Sequence, residues 1–480
     1  MNTAFPTFQW VLAGLLVAFF VLCAAINASL VLRSMRTRPD ERVPSMIPIV
    51  GGLVGAAGFW IAPMAEIHTY VWLPLLLDIG CGPYLALVGF ALLRESMESG
   101  SWLQHVPFLR YFAKQATPIR EPFEKEAAIV GCILGTAVGD ALGLVCEGLS
   151  RRRQRRLFPD ISCYHLILGK GMTSDDTEHT LMLAQSLIET SGQAPERLVD
   201  KFTGNFAWRL RFWLLGLPAG IGMATLRAIL KLWLGYSGKH SGVWSAGNAP
   251  AMRAALIGVC YGQDRDKMRA LVRAATRITH TDPKAEAGAL AVALAAHLSA
   301  SRAEPITPEQ YLDELHSLTD KHSGAIGEIV EGVCSSIAAG ETSEIYAERI
   351  GCVNGVTGYI NHTVPVALHV WLRYPRDYRV AVIEVIRLGG DTDTAAAIVG
   401  AIVGANVGKA GIPPRWLKDL WEWPRTVAWM EKVGATLAQT CANTVVAGAV
   451  PINPIKLLLR NTLFLGVVLV HGVRRLLPPY

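Results

Sequence analysis

Apolar residues are unevenly distributed along this chain: three long runs come before residue 94, and helical repeats follow. Trp10–Leu32 carries no formal charge and, as a helix, is long enough to cross a hydrocarbon layer of roughly 30 Å. No Lys or Arg precedes it to form the basic end of a signal peptide. The second run, Met46–Ala65, carries Gly51 and Gly55, a small-residue spacing that lets helices pack closely in lipid. The third, Tyr70–Leu93, is interrupted by Pro74, Asp78, Gly80, Gly82 and Pro83 and reads as a broken spanning helix or a re-entrant segment. After a linker punctuated by Pro107 and Pro118, apolar positions recur at helical spacing with few alternating β-branched stretches, which predicts an all-α domain from about Pro122. Gly131, Gly135, Gly139 and Gly143 line one helix face and admit another backbone; Asp140 and Glu147 are expected to share a face. The small residues Ala395–Gly408 predict a buried helix. Leu463–Val473 is too short to span and, flanked by Arg460, Arg474 and Arg475, predicts an amphipathic or surface-docking tail. The expected division is a membrane region at 1–94, a linker at 95–121, the all-α domain at 122–435 and an extension at 436–480.

Composition supports a membrane attachment. Hydrophobic residues make up 51% of 480, and mean hydropathy is +0.32. Arg33, Arg36, Arg38 and Arg42 crowd the first connection while Pro63–Tyr70 has no Lys or Arg, so three crossings would leave the amino terminus outside and everything after Leu93 in the cytoplasm. The expectation is a multi-pass protein of the cell membrane with a cytoplasmic domain. Nine cysteines, never spaced C-x-x-C, argue against a disulfide framework and a thiolate zinc site, and favour a reducing compartment. The net charge of +6 sits largely in local clusters such as Arg151–Arg156, read as a solvated face or a contact for phosphates or anionic headgroups; nucleic acid is not an expected partner. Trp208, Trp213, Trp233 and Trp244 read as core.

Two acidic clusters change the picture. In Gly389-Gly390-Asp391-Thr392-Asp393-Thr394, an extended backbone would point both carboxylates the same way, unless the stretch merely caps the following helix. Far earlier, Ser174-Asp175-Asp176-Thr177 precedes a helical pattern, and Asp175 with Glu178 has the spacing of a capping box. Oxygen-only donors suit Mg²⁺ or Mn²⁺ better than zinc, and two such clusters are what a two-metal site needs. Gly247-Asn248-Ala249-Pro250 opens a helix whose free amides suit a phosphate, or is a plain turn. His280 lies where one predicted helix ends and another begins.

Taken in order, these motifs resemble the ADP-ribosylglycohydrolase family. The resemblance rests on Gly131-Cys-Ile-Leu-Gly-Thr-Ala-Val-Gly-Asp-Ala-Leu-Gly143 with Glu147, Thr173-Ser-Asp-Asp-Thr177, Ser245-Ala-Gly-Asn248 with Met252-Arg253, Thr279-His280, and Gly389–Thr394. It covers roughly residues 122 to 430; Ser174 stands where many members have Thr, and Ala249 where many have Gly. It implies a compact all-α domain holding two divalent cations, Mg²⁺ or Mn²⁺, through Ser174, Asp175, Asp176, Asp391, Asp393 and Thr394. It also implies Glu147 beside the cleaved bond, and Gly247, Asn248 and His280 around ADP-ribose. The expected activity is hydrolysis of the bond joining ADP-ribose to a protein side chain or small acceptor at the cytoplasmic membrane face. Glu147 would then be the general acid or base, and Asp175 would bridge metal and substrate. The alternatives are a catalytically silent ADP-ribose-binding module that recruits partners to the membrane and a transporter component, for which the apolar runs leave little room.

Overall fold

The structure is a computed structural model describing residues 9–10, 12–25, 50–77, 123–302, 304–318, 324–442 and 446–475. It comprises two compact units, the first gathering residues 1–113 with Gly220–Leu226 and Trp233–Gly235, the second the rest. In the first unit the apolar helix Leu12–Ala25 packs on Val50–Ile61. Gly58 lies beside Ala13, Leu16 and Val17, and Gly55 lies closer still to Phe20 and Pro74. The described parts of both helices are shorter than a membrane crossing requires. Residues 26–49 and 78–122, including Asp78 and the rest of the third apolar run, lie outside the described residues. Among the described residues two helices are long and apolar enough to cross a membrane, Lys125–Cys146 and Pro454–Val473. The first is a core helix of the second unit, so the multi-pass arrangement finds no support in the described residues.

The second unit is helical, as its periodicity predicts. The elements that position its chemistry are α1 (Phe123–Gly143), α2 (Arg151–Leu157), α3 (Asp175–Thr190), α4 (Pro195–Leu215), α5 (Ala249–Tyr261), α6 (Pro283–Ser301), α7 (Ile360–Arg373), α8 (Tyr378–Arg387), α9 (Thr392–Val407), α10 (Val427–Cys441) and α11 (Pro454–Arg475). Its axis is the pair α1 and α9, both almost wholly buried. A Cβ on Gly131, Gly135, Gly139 or Gly143 would overlap the carbonyl oxygens of Gly404, Gly400, Ala396 and Thr392 in turn, so the four-residue glycine spacing is a backbone-to-backbone seam. Glycine inside a helix costs roughly 0.5–1 kcal/mol relative to alanine, and the close packing offsets that cost. Thr392 Oγ1 donates to Gly143 O at 2.7 Å, and the Tyr378 hydroxyl donates to Gly135 O at 2.7 Å. α5, α6, α7 and α8 surround this pair.

Two expectations about charge and aromatics change. Arg151 of the basic cluster is buried, donating to Leu388 O at 3.0 Å and Cys352 O at 2.9 Å and pairing with Glu348 at 2.7 Å, so this residue braces the fold instead of facing phosphate. Trp213 and Trp233 are buried and Trp208 stacks edgewise on Phe212, but Trp244 is 59% exposed and is not core.

Candidate functional site

The double glycine works through its backbone. Gly389 and Gly390 have φ of +72° and +81°, the left-handed region that side chains disfavour. Gly390 N donates to Leu149 O at 2.8 Å and Gly390 O accepts from Gly148 N at 2.6 Å; on the other side Val356 N donates to Gly389 O at 2.9 Å and Asp391 N to Val356 O at 2.8 Å. This lattice fixes the loop carrying Glu147 against the one carrying Asp391. The stretch is not extended: Asp391 occupies the N-cap position of α9 and Asp393 lies in its first turn. Asp391 makes no capping bond; its carboxylate instead accepts from Asn248 Nδ2 at 2.9 Å.

The earlier acidic cluster meets the later one here. Ser174 is the true N-cap of α3, accepting from Asp176 N at 3.3 Å, so the expected Asp175–Glu178 capping box does not form. Asp140, projecting from α1, accepts from Ser174 N at 2.9 Å, Thr177 N at 3.1 Å and Thr177 Oγ1 at 2.5 Å, which pins the start of α3 to the central pair. Asp176 Oδ2 accepts from Ser174 Oγ at 3.1 Å and from Thr394 Oγ1 at 3.2 Å, a direct contact between residues 218 apart in sequence. Glu147 does not share a helix face with Asp140. α1 ends at Gly143, a 3₁₀ turn covers Leu144–Cys146, and Glu147 follows it, exposed.

Electrostatically these acids are costly as they stand. Burial, then repulsion from neighbouring carboxylates, pushes Asp175, Asp176 and Asp393 well above the usual carboxylate range, and burial pushes Asp140 up to about 6. Asp176 Oδ1 and Asp393 Oδ1 are buried without a hydrogen-bond partner, a state that costs free energy unless something positive fills it. Oxygen donors alone, from Asp, Ser and Thr, suit a hard divalent cation. Among the described residues no three His, Cys, Asp or Glu side chains yet enclose one point, so the donors sit at the N-terminal ends of α3 and α9, not in a closed cage.

On the other side, Asn248 Nδ2 donates to both Thr363 Oγ1 and Asp391 at 2.9 Å, so it aims Asp391 as well as opening α5. Gly247 lies against His280, whose Nε2 would be 2.9 Å from a Cβ there. His280 is buried and its pKa falls to about 3 through desolvation and then Arg253, which keeps it neutral. The fully buried Arg253 donates to Thr279 Oγ1 at 2.7 Å and Ala275 O at 2.8 Å.

The fold brings Ser174, Asp176 and Thr394 into direct contact and ties Asp391 to Asn248, while Glu147 stands exposed on the neighbouring loop. Asp140 and Thr177, named in the sequence without a role, join this group through their mutual hydrogen bonds, and Thr363, which carried no sequence signal, joins it through Asn248. The fold also adds a buried group, Glu178 with Arg425, Arg460 and Glu422.

The sequence pattern of the ADP-ribosylglycohydrolase family matches residues 122–445. A protein of Archaeoglobus fulgidus is 33% identical over 60% of this chain and 90% of its own. The ADP-ribosyl-[dinitrogen reductase] glycohydrolase of Rhodospirillum rubrum is 27% identical over 61% and 89%, and the ADP-ribosylhydrolase ARH3 of Xenopus tropicalis 28% over 63% and 93%. A solved ADP-ribosylglycohydrolase-related protein complex superposes with a TM-score of 0.50 at 28% identity, covering 66% of this chain and 99% of that one.

Proposed function

The chain belongs to the ADP-ribosylglycohydrolase family and is a hydrolase of ADP-ribosyl linkages; from that premise we propose that it works with two divalent cations, Mg²⁺ or Mn²⁺, on ADP-ribosylated proteins or small acceptors at the cytoplasmic face of a membrane. The donors would be Ser174, Asp175, Asp176, Asp391, Asp393 and Thr394. The observation that carries this reading is the pair of buried, unpartnered oxygens, Asp176 Oδ1 and Asp393 Oδ1, on two motifs joined by the Thr394–Asp176 hydrogen bond. Cations bound there would supply Lewis acidity and offset charge as an oxocarbenium-like centre forms at the anomeric carbon.

The chain's own residues do the rest. Asn248 and the Gly389–Gly390 backbone hold Asp391 in place, and Asp140 holds the start of α3. Asp175, half-buried, would bridge cation and substrate. Glu147, exposed on a loop tied to Gly390, transfers the proton to or from the attacking water or leaving group. The Gly247 turn and neutral His280 line the ADP-ribose side. Exposed apolar side chains on the first unit, such as Leu15, Leu22, Leu53 and Trp60, support the membrane location.

The test is the full-length chain assayed against a panel of ADP-ribosylated acceptors with and without Mg²⁺ and Mn²⁺. Cation-dependent release of ADP-ribose is expected; ADP-ribose binding without release from any acceptor would make the chain a recruitment module. For topology, a reporter at Glu66 should be external and one after Tyr111 cytoplasmic; both on one side would remove the three-crossing arrangement.

A further inference from the structure

The start of α3 is held from below by a second charged group, and one of its members comes from outside the family match. Glu178 and Glu422 are buried with Arg425 and Arg460, two acids against two bases. Arg425 Nη2 and Trp213 Nε1 both donate to Glu178. Arg460 Nη2 bonds to Glu422 Oε2 at 2.6 Å and donates to Thr173 O at 2.6 Å, while the same Glu422 oxygen accepts from Thr173 N at 3.1 Å. The Arg460–Glu422 pair therefore grips both backbone polar groups of Thr173, the residue immediately before Ser174. Arg460 belongs to α11, beyond residue 445 where the family match ends.

α11 is built to deliver that side chain. Phe464 packs in a buried cluster with Leu144, Leu166, Met172 and Ala219, and the Arg460 guanidinium lies 4.4 Å above its ring. Asn461 Nδ2 donates to Gly216 O at 2.7 Å. The opposite face of the helix, with Ile455, Leu459, Leu463 and Val470, is exposed.

We infer that Arg460 is a positioning residue for the hydrolysis, and that α11 is a working part of the catalytic unit. This rests on the reading of Ser174, Asp175 and Asp176 as cation donors. Removing Arg460 leaves one buried negative charge in excess and the Thr173 carbonyl unpaired. The segment that aims Ser174, Asp175 and Asp176 is then released, and supports of this kind are worth about 10- to 100-fold in metal affinity.

The experiment compares Arg460→Met, Arg460→Lys, the pair Glu422→Gln with Arg460→Met, and the exposed-face control Leu459→Ser, all in the full-length chain. Mn²⁺ binding is read by calorimetry, folding by Tm, and turnover as kcat and KM. Arg460→Met is expected to weaken Mn²⁺ binding about tenfold or more and to lower kcat. Arg460→Lys should recover part of both, the paired variant should recover Tm without the affinity, and Leu459→Ser should match wild type. If Arg460→Met fails to fold, Arg460→Lys and the paired variant carry the test. Wild-type affinity and kcat in the folded variants overturn the inference alone. Wild-type protein that binds no Mn²⁺ overturns the donor reading and the inference with it.

Discussion

Two sets of acids meet at the start of α3, one against Thr173 and the other against Ser174, and the protein treats them in opposite ways. Glu178 and Glu422 are matched by Arg425 and Arg460, and those charges hold Glu178 below the usual carboxylate range despite its burial. Asp140, Asp175, Asp176 and Asp393 face one another, and each is pushed up. None of these four has an ion-pair partner among the described residues. The fold sets arginines directly against the first set, whereas the buried Arg253 acts on the second only through its field on Asp175, with no ion pair formed. That difference sets an internal brace apart from a cluster of mutually repelling acids, and it is the contrast on which the proposed cation centre rests.

The comparison can be broken first at the aspartates. Asp391→Asn and Asp175→Asn are expected each to abolish turnover, because an amide supplies no charge to a cation. The Tm of the cation-free protein should hold or rise, since repulsion is relieved; full activity in Asp391→Asn would reduce the Gly389–Thr394 stretch to a helix start. Glu147→Gln belongs to neither set. It should lower kcat by about 10²- to 10⁴-fold with ADP-ribose affinity largely kept, and unchanged kcat would move proton transfer to Asp175.

The matched set should respond with the other sign. Arg425→Met leaves the buried group one negative charge in excess, with Arg460 alone against Glu178 and Glu422, and should cost about 3–5 kcal/mol in denaturant unfolding; a loss under 1 kcal/mol would mean the brace is dispensable. The smallest effect is in pH. Asp140 is raised from 3.8 to about 6 in the fold, so between those values the native state holds a proton that the unfolded chain has released. The cation-free protein should therefore lose stability as pH rises across that window, and Asp175, Asp176 and Asp393, pushed up in the same direction, add to the loss. Tm measured from pH 4 to 8 checks this, and Mg²⁺ or Mn²⁺ added at pH 8 should raise Tm again.

What could be read from the sequence follows from which forces are local. The glycines at 131, 135, 139 and 143 announced a close backbone contact because only a missing Cβ explains that spacing, and the carbonyls of α9 fill the space. Helical periodicity gave the all-α class, and the oxygen-only composition of Ser174–Asp176 and Asp391–Thr394 marked two motifs that the fold brings into contact. The extended reading of Gly389–Thr394 failed because α9 begins at Thr392, so a helical turn and not strand alternation sets where Asp391 and Asp393 point. The capping box failed because the helix starts one residue earlier than that reading assumed: Ser174 is the N-cap, which puts Thr177 and not Glu178 at the third helical position. Arg460 was hidden by the apolar run beside it: its acid Glu178 lies 282 residues away, and no local pattern announces such a pairing.

The most direct test is calorimetric titration of the full-length, metal-stripped chain with Mn²⁺, beside Asp393→Asn. Two sites in the wild type and a lost or much weakened site in the variant are the predicted result. A folded wild-type protein with one site or none, or an Asp393→Asn variant that binds as the wild type does, would contradict the assignment of the unpaired aspartates to a two-cation centre.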